Sequence, residues 1–427
     1  MKVLVVGGGG SEHALVWKLS RSRHVSNIYC SPGNAGISEL AECIDVSPDN
    51  VGALVDFVKY EWIDVTVLCA PTVFARHVVA ALEREGRKVF GICESAFPLA
   101  LSREAAKNFI KRHRIPSVEY RVFSSYLLAQ DYVQLKGLPL VIESDRRSGD
   151  RGVFFATTFE EARDVLKYIV EESPRGGSGD RIIVGEHVDG QRMSLAMVVD
   201  EKFVFPLASV YKWRAVTGPR VLREVTVTGA CSPVPFIGKA ETDALLENVA
   251  YPILRGLAAE GITFRGLLSA DLVFRGGDIR LLDVHLGCAP LEAQTIMPGL
   301  PGDIGDIILA SLEGKLSHLK MREDGRSVVC VALFSKDSGP RAEGGLHIEG
   351  LDAIRATENV FVFHHNTVFE DRRVMTRGGD VLSVAAIGSD PLQAAKKAYQ
   401  AIGNIHFDGI YYSNDVGYNI PQERRPV

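Results

Sequence analysis

Four apolar residues, Val3, Leu4, Val5 and Val6, run without a break into four glycines, Gly7, Gly8, Gly9 and Gly10, and then into a helical spacing of apolar side chains over 12–19. An uninterrupted apolar run suits a strand buried on both faces, and such strands belong to parallel sheets covered by helices. The chain therefore opens as strand, turn and helix. Further apolar runs at 65–70 and 88–91 alternate with helical stretches over 51–60 and 78–84, the rhythm of a doubly wound sheet that should close near residue 100. Bare backbone N–H groups at the positive end of a helix suit a phosphate. A plain tight turn explains the same glycines, and the acid expected on a ribose about twenty positions later in a dinucleotide fold is missing.

The chain has 427 residues, 46% of them hydrophobic, enough for two to four domains with real cores. A second unit begins with a helix over 102–112, with Ser102 as its N-cap, and Pro116 ends it. Strand patterns follow at 139–142, 152–156, 181–186, 194–199 and 204–208, with a helix over 158–171 and a loop composition over 173–180. A long amphipathic helix over 241–260 precedes two strands, 267–274 and 279–284, joined by a turn at 276–278 and carrying acids. The last hundred residues alternate strand runs at 327–333, 360–363 and 381–386 with a helix over 391–402, so a small α/β domain should close the chain.

The formal net charge of −5 leaves no footprint for nucleic acid or an anionic membrane. Clusters such as Lys111 to Arg114 read as solvated faces. The seven cysteines are scattered without a C-x-x-C pair, which argues against a disulfide framework or a zinc site and fits a reducing cytoplasm. No apolar run reaches the length of a membrane span, and the N-terminus lacks a signal-peptide pattern.

Gly8 to Ala14 and Ser31 to Gly36 together resemble the N-domain of the glycinamide ribonucleotide synthetase (phosphoribosylamine–glycine ligase) family. The similarity continues in register through Ser102 to Lys107, Arg112 to Ser117, Asp189–Gly190, Glu292 to Gln294, Thr376 to Gly379 and Asp415 to Gly417. It implies a Rossmann-like N-domain over 1–102, an ATP-grasp region over 103–324 with a lid near 118–188, and a C-terminal domain over 325–427. The implied reaction adds glycine to 5-phosphoribosylamine in purine biosynthesis: ATP makes an acyl phosphate of glycine, and the sugar amine displaces phosphate. The implied partners are small molecules.

The resemblance carries roles onto particular residues. Arg103, Lys107, Arg151 and Glu186 are expected at ATP. Gly8, Gly9, Gly10, Glu12, His13, Gly33, Asn34 and Glu292 are expected on the substrate side, and Asp283 at Mg2+ or Mn2+; His285, and Asp271 on the partner strand, a carboxylate the family lacks there, would join it in a shifted metal site. Several positions depart from the family pattern. Glu143 replaces the lysine of its Lys-Ala-Asp-Gly strand, setting an anion where triphosphate should lie, and Arg192 replaces a ribose-binding glutamate although arginine has no acceptor. Asp283-Val284-His285 stands for Glu-Phe-Asn. The two side chains share a strand face, and histidine suits manganese, iron or zinc better than magnesium. Gly287 to Glu292 lacks the family's arginine, and Arg220 to Thr228 replaces a glycine-rich loop. His364 and His365 alternate across a strand, which makes core or surface positions the better reading than a metal pair. Three functions follow: ligation of glycine to phosphoribosylamine, a divergent carboxylate–amine ligase, or an impaired paralogue acting as a ligand-binding or protein-interaction module.

Overall fold

The opening apolar run becomes the central strand of a five-stranded parallel sheet. Lys2–Gly7 pairs with Asn27–Pro32 on one side and Val65–Leu68 on the other, and Glu42–Cys43 and Val89–Phe90 form the edges. The strand order reverses between Lys2–Gly7 and Val65–Leu68, so a crevice opens at their carboxyl ends, the usual ligand position in such sheets. Gly7 and Cys69 stand at that crevice. The computed structural model describes residues 1–70, 73–148, 151–172, 181–217, 224–275, 278–320, 325–335 and 345–420.

Among the described residues the remaining main strands form one 13-stranded sheet. Asp278–His285, Gly266–Arg275, Gln191–Val199, Val204–Thr217 and Glu224–Ser232 pair in that order, all antiparallel. Residues 224–228, expected as part of a loop, are instead strand: Val225 and Val227 alternate with Thr226 and Thr228, a period of two that pairs with Val204–Thr217. The expected strand over 204–208 accordingly runs on to Thr217.

A smaller antiparallel group of Tyr120–Phe123, Ile182–Glu186, Leu140–Ser148 and Arg151–Ala156 carries the helices Tyr126–Lys136 and Phe159–Lys167. It has its own apolar cluster, with Ile142, Phe154, Leu166 and Val184 almost free of solvent, and joins the larger sheet at Glu224 opposite Phe154.

Apart from the hairpin of Thr367–Glu370 with Arg373–Thr376, the C-terminal strands do not make a sheet of their own. Ser327–Ser335 pairs with Glu224–Ser232 and with Asp380–Gly388, so backbone hydrogen bonding continues from the central region into the last domain. The helix over 391–402 forms at those limits, with Pro391 at its start and the Asp390 side chain accepting from Gln393 N–H. The helix expected over 241–260 divides into Lys239–Leu245 and Tyr251–Ala259 around a π-helical turn, Leu246–Ala250, beside Pro252, which cannot donate to the helix ladder.

Candidate active site

An open cleft lies between the strand group at 120–186 and the larger sheet. Val118, Val141, Val153, Val188 and Leu282 supply apolar walls of the kind that take a flat ring, and charged groups lie between them. The cleft brings together Arg103, Lys107, Glu186, Asp271, Asp283 and His285 from the expected set, with Glu143 and Arg192. Arg151 opens the strand Arg151–Ala156, but its side chain, like Gly149 and Asp150, lies outside the described residues.

The helix Arg103–Arg112 sets the first charged group. Ser102 caps it by accepting from Ala105 N–H, and Asp145 accepts from both the Ser102 hydroxyl and Glu104 N–H. Spacing of four puts Arg103 and Lys107 on one face, where both meet Glu143, at 3.5 Å and 3.2 Å. All three are buried, at 2%, 4% and 8% exposure. The charge reversal seen in the sequence is thus an ion triad.

Glu186 accepts from Glu119 N–H at 2.9 Å and pairs with Arg280 at 3.2 Å. The Arg192 guanidinium is 3.4 Å from His187 Nδ1, and burial lowers its proton affinity, with Arg214 adding to the effect.

The second charged group lies across the hairpin. Asp271 sits opposite Asp283, and its carboxylate meets Lys212 at 3.2 Å, Arg214 at 3.3 Å and His285 Nε2 at 3.4 Å. Lys212 also reaches Glu292 at 2.9 Å, which accepts from the Ser194 and Ser269 hydroxyls and from Ala289 N–H. Burial pushes Asp271 up, but Lys212, His285 and Arg214 together hold it well below the carboxylate range. Burial likewise raises Glu292, and Lys212 with the two hydroxyls brings it below its ordinary value. The sequence reading missed Lys212 and Arg214. The available signal was two cations two residues apart on a mostly apolar strand, one face receiving both.

As a metal centre this set has one donor well suited to magnesium. Asp283 faces the cleft with a hard carboxylate, whereas Asp271 is engaged by two cations and His285 offers nitrogen. Among the described residues, the trio whose ligand atoms lie within 4.8 Å of one another is instead His24, Asp303 and Asp306, on the seam between the first domain and the helix Ile304–Leu312. Arg23 already pairs with both of its aspartates.

A second site surrounds the glycine turn. A side chain on Gly8 would strike the Gly33 carbonyl, and one on Gly10 would strike His365 and Gln294. Glu12 turns back to accept from Gly9 N–H at 2.9 Å, and burial raises its proton affinity. Asn34 donates to the carbonyls of Gly8 and His364 and accepts from Gly36 and Ile37 N–H, so one amide joins the turn to the C-terminal domain. His13 Nδ1 accepts from His364 N–H at 2.9 Å, which leaves its proton on Nε2. Burial holds both imidazoles neutral: His13 well below its ordinary value, and His364 down to about 3. His364 turns to His13 and Thr367, whereas His365 turns to Ser383 and Gln294, so the two do not form a pair.

One buried helix joins the two sites. Glu292–Gly299 begins with Glu292 in the ion cluster and places Gln294 beside the turn, its Oε1 buried without a hydrogen-bond partner among the described residues.

Comparison with known proteins agrees with this layout. Residues 1–99, 101–287 and 328–419 match, in that order, the N, ATP-grasp (A) and C domains of phosphoribosylglycinamide synthetase. The chain is 34% identical over 416 residues to a phosphoribosylamine–glycine ligase of Caldanaerobacter subterraneus, covering 97% of this chain and 99% of the relative. It is 33% identical over 426 residues to that of Salmonella typhimurium, covering 98% of each. The crystal structure of phosphoribosylamine–glycine ligase from Thermotoga maritima superposes with a TM-score of 0.79 at 23% identity, over 97% of this chain and 100% of that one. The biotin carboxylase domain of the Hydrogenobacter thermophilus 2-oxoglutarate carboxylase, solved with MgADP, shares the fold at a TM-score of 0.68 and 14% identity, over 96% and 91%.

Proposed function

We propose a function from one premise: the chain belongs to the phosphoribosylglycinamide synthetase family, whose three domains it carries in order. It is an ATP-dependent ligase that joins glycine to 5-phosphoribosylamine, releasing ADP and phosphate. The observation that carries this reading is the helix Glu292–Gly299, which ties a charged cleft suited to a nucleotide to a glycine turn suited to a phosphosugar. Full-length relatives bearing the ligase name support ligation over the non-catalytic alternative.

In this reading the apolar walls of the cleft hold the base, Arg103 and Lys107 face the phosphates, and Arg151 is assigned to the same end from the family pattern alone. Glu186 marks the edge of the nucleotide near the ribose. The turn at Gly8, Gly9 and Gly10, with Glu12, His13, Gly33 and Asn34, holds the phosphosugar through backbone N–H groups and a fixed shape. Glycine lies between, near Glu292, so that its phosphorylated carboxylate meets the sugar amine with water excluded by the strand group at 120–186. A divalent cation would draw charge from the transferring phosphoryl group. Asp283 would hold it, with His285 the neighbouring donor; Asp271 would have to release Lys212 and Arg214 to join them. A single hard carboxylate would suit magnesium carried largely by the nucleotide, and the imidazole of His285 would suit manganese as well.

The partners are small molecules, and no helix among the described residues is long and apolar enough to cross a membrane. Seven free cysteines support a place in the reducing cytoplasm. The test is ADP release with glycine and phosphoribosylamine, first with magnesium and then with manganese. Turnover dependent on both substrates is expected. Absence of turnover with either metal, in a folded protein, overturns the reading.

A further inference from the structure

We propose that Glu143 is a built-in counter-anion occupying the phosphate end of the cleft, so that a nucleotide's phosphate tail docks by displacing a carboxylate instead of entering an open cation cradle. The inference rests on the reading of the cleft as a nucleotide site, and goes beyond it by naming the residue that sets how much the phosphates contribute.

The geometry makes the strand Leu140–Ser148 an acidic partner for the helix Arg103–Arg112. Glu143 and Asp145 are two residues apart and so share a strand face. Asp145 holds the helix start through Ser102 and Glu104 N–H, and Glu143 holds the two cations that follow. Arg103 also donates to the Ser144 carbonyl at 2.9 Å, which fixes its guanidinium against the same strand. Lys107 is further held by the Leu282 carbonyl at 3.4 Å and the face of Tyr120.

With Glu143 in place, two buried positive charges are reduced to one. A phosphate arriving at Arg103 and Lys107 exchanges one anion for another against the same cations, and the Coulomb gain nearly cancels. The displaced carboxylate must find other contacts. Affinity therefore rests on the nucleoside and on any metal carried by the tail, and discrimination among adenosine, ADP and ATP is shallow.

The experiment is calorimetry on the full chain, free of divalent metal, with adenosine, ADP and ATP as probes. For the unaltered protein, ATP is expected to bind within about tenfold of adenosine. Glu143→Gln should raise ATP affinity by at least about tenfold and leave adenosine within about twofold. Glu143→Asp, which keeps the charge, should leave the shallow ratio unchanged. ATP binding more than about tenfold tighter than adenosine in the unaltered protein overturns the proposal, and needs no variant to fold. Unchanged or weakened ATP binding in a folded Glu143→Gln protein also overturns it while leaving the nucleotide reading intact. Failure of adenosine to bind either protein removes the nucleotide reading itself, and the proposal with it.

Discussion

The cleft and the glycine turn both bury ionisable groups, and they meet the cost in opposite ways. In the cleft, charge is kept and paired: Glu143 with Arg103 and Lys107, and Asp271 and Glu292 with Lys212. At the turn, charge is given up. Burial holds His13 and His364 neutral, and they are fixed by backbone and hydroxyl hydrogen bonds. Paired clusters can change partners when a charged ligand arrives, whereas a neutral, hydrogen-bonded junction can only keep its shape. The cleft is therefore the adaptable half and the turn the preformed half.

The sharpest way to break this contrast is Lys212→Met. It leaves Asp271 and Glu292 buried together without their shared cation, and stability should fall by about 3–5 kcal/mol in urea denaturation. A loss below about 1 kcal/mol would mean that water already serves these carboxylates and that the cleft is not held by pairing.

Acidification separates the halves. His364 titrates near 3 in the fold, so the unfolded chain binds the extra proton first and stability declines as pH falls from about 6.5 toward 3. His13, also lowered, adds in the same direction. For His364 the loss should be about 2 kcal/mol between pH 7 and pH 5. Asp271 and Glu292 are depressed acids, so their contribution is intact above about pH 4 and is lost only below it. Urea melts at pH 7 and pH 5 on the unaltered protein and on His364→Asn check this, with a shallower pH dependence expected for the variant. Equal slopes would place the titrating groups elsewhere.

Gly8→Ala probes the rigidity of the turn, because its new methyl would lie 2.4 Å from the Gly33 carbonyl oxygen, a backbone atom. A loss of about 1–3 kcal/mol is expected, with a raised KM for the amine substrate and an ATP affinity within about twofold. An unchanged KM would disconnect the turn from that substrate.

The smallest effect is a sharpening. The pair Glu143→Lys with Arg192→Glu adds a cation at the phosphates and an acceptor at the sugar, and should tighten ATP by at least about tenfold, or about 1.4 kcal/mol. Weaker binding by calorimetry would reject the assumed nucleotide pose.

Much of the local structure was legible because its cause is local. Ser102 caps its helix as expected, Asp390 caps the helix expected over 391–402, and the Thr158 hydroxyl accepts from Glu161 N–H as a capping box requires. The helix Tyr126–Lys136 was not legible. Leu127, Leu128 and Leu135 are exposed on it, which blurs the apolar stripe that would have marked it. Glu292–Gly299 was hidden for the opposite reason: seven of its residues, Glu292 to Pro298, are buried, so no face contrasts with another.

Of the site, the amino-acid order was sufficient to single out Glu143 as an anion among cations and Asp283 as a carboxylate, both of which line the cleft. It could not say that Glu143 would be held by Arg103 and Lys107, or that Lys212 would stand between Asp271 and Glu292. Periodicity, capping and turn chemistry act over a few residues and are written in adjacent letters. Ion pairing in a buried cleft depends on which strands lie side by side, and here that joins residues 36 to 80 positions apart. Coulomb attraction and desolvation respond to distance in space, and only the folded chain sets that distance.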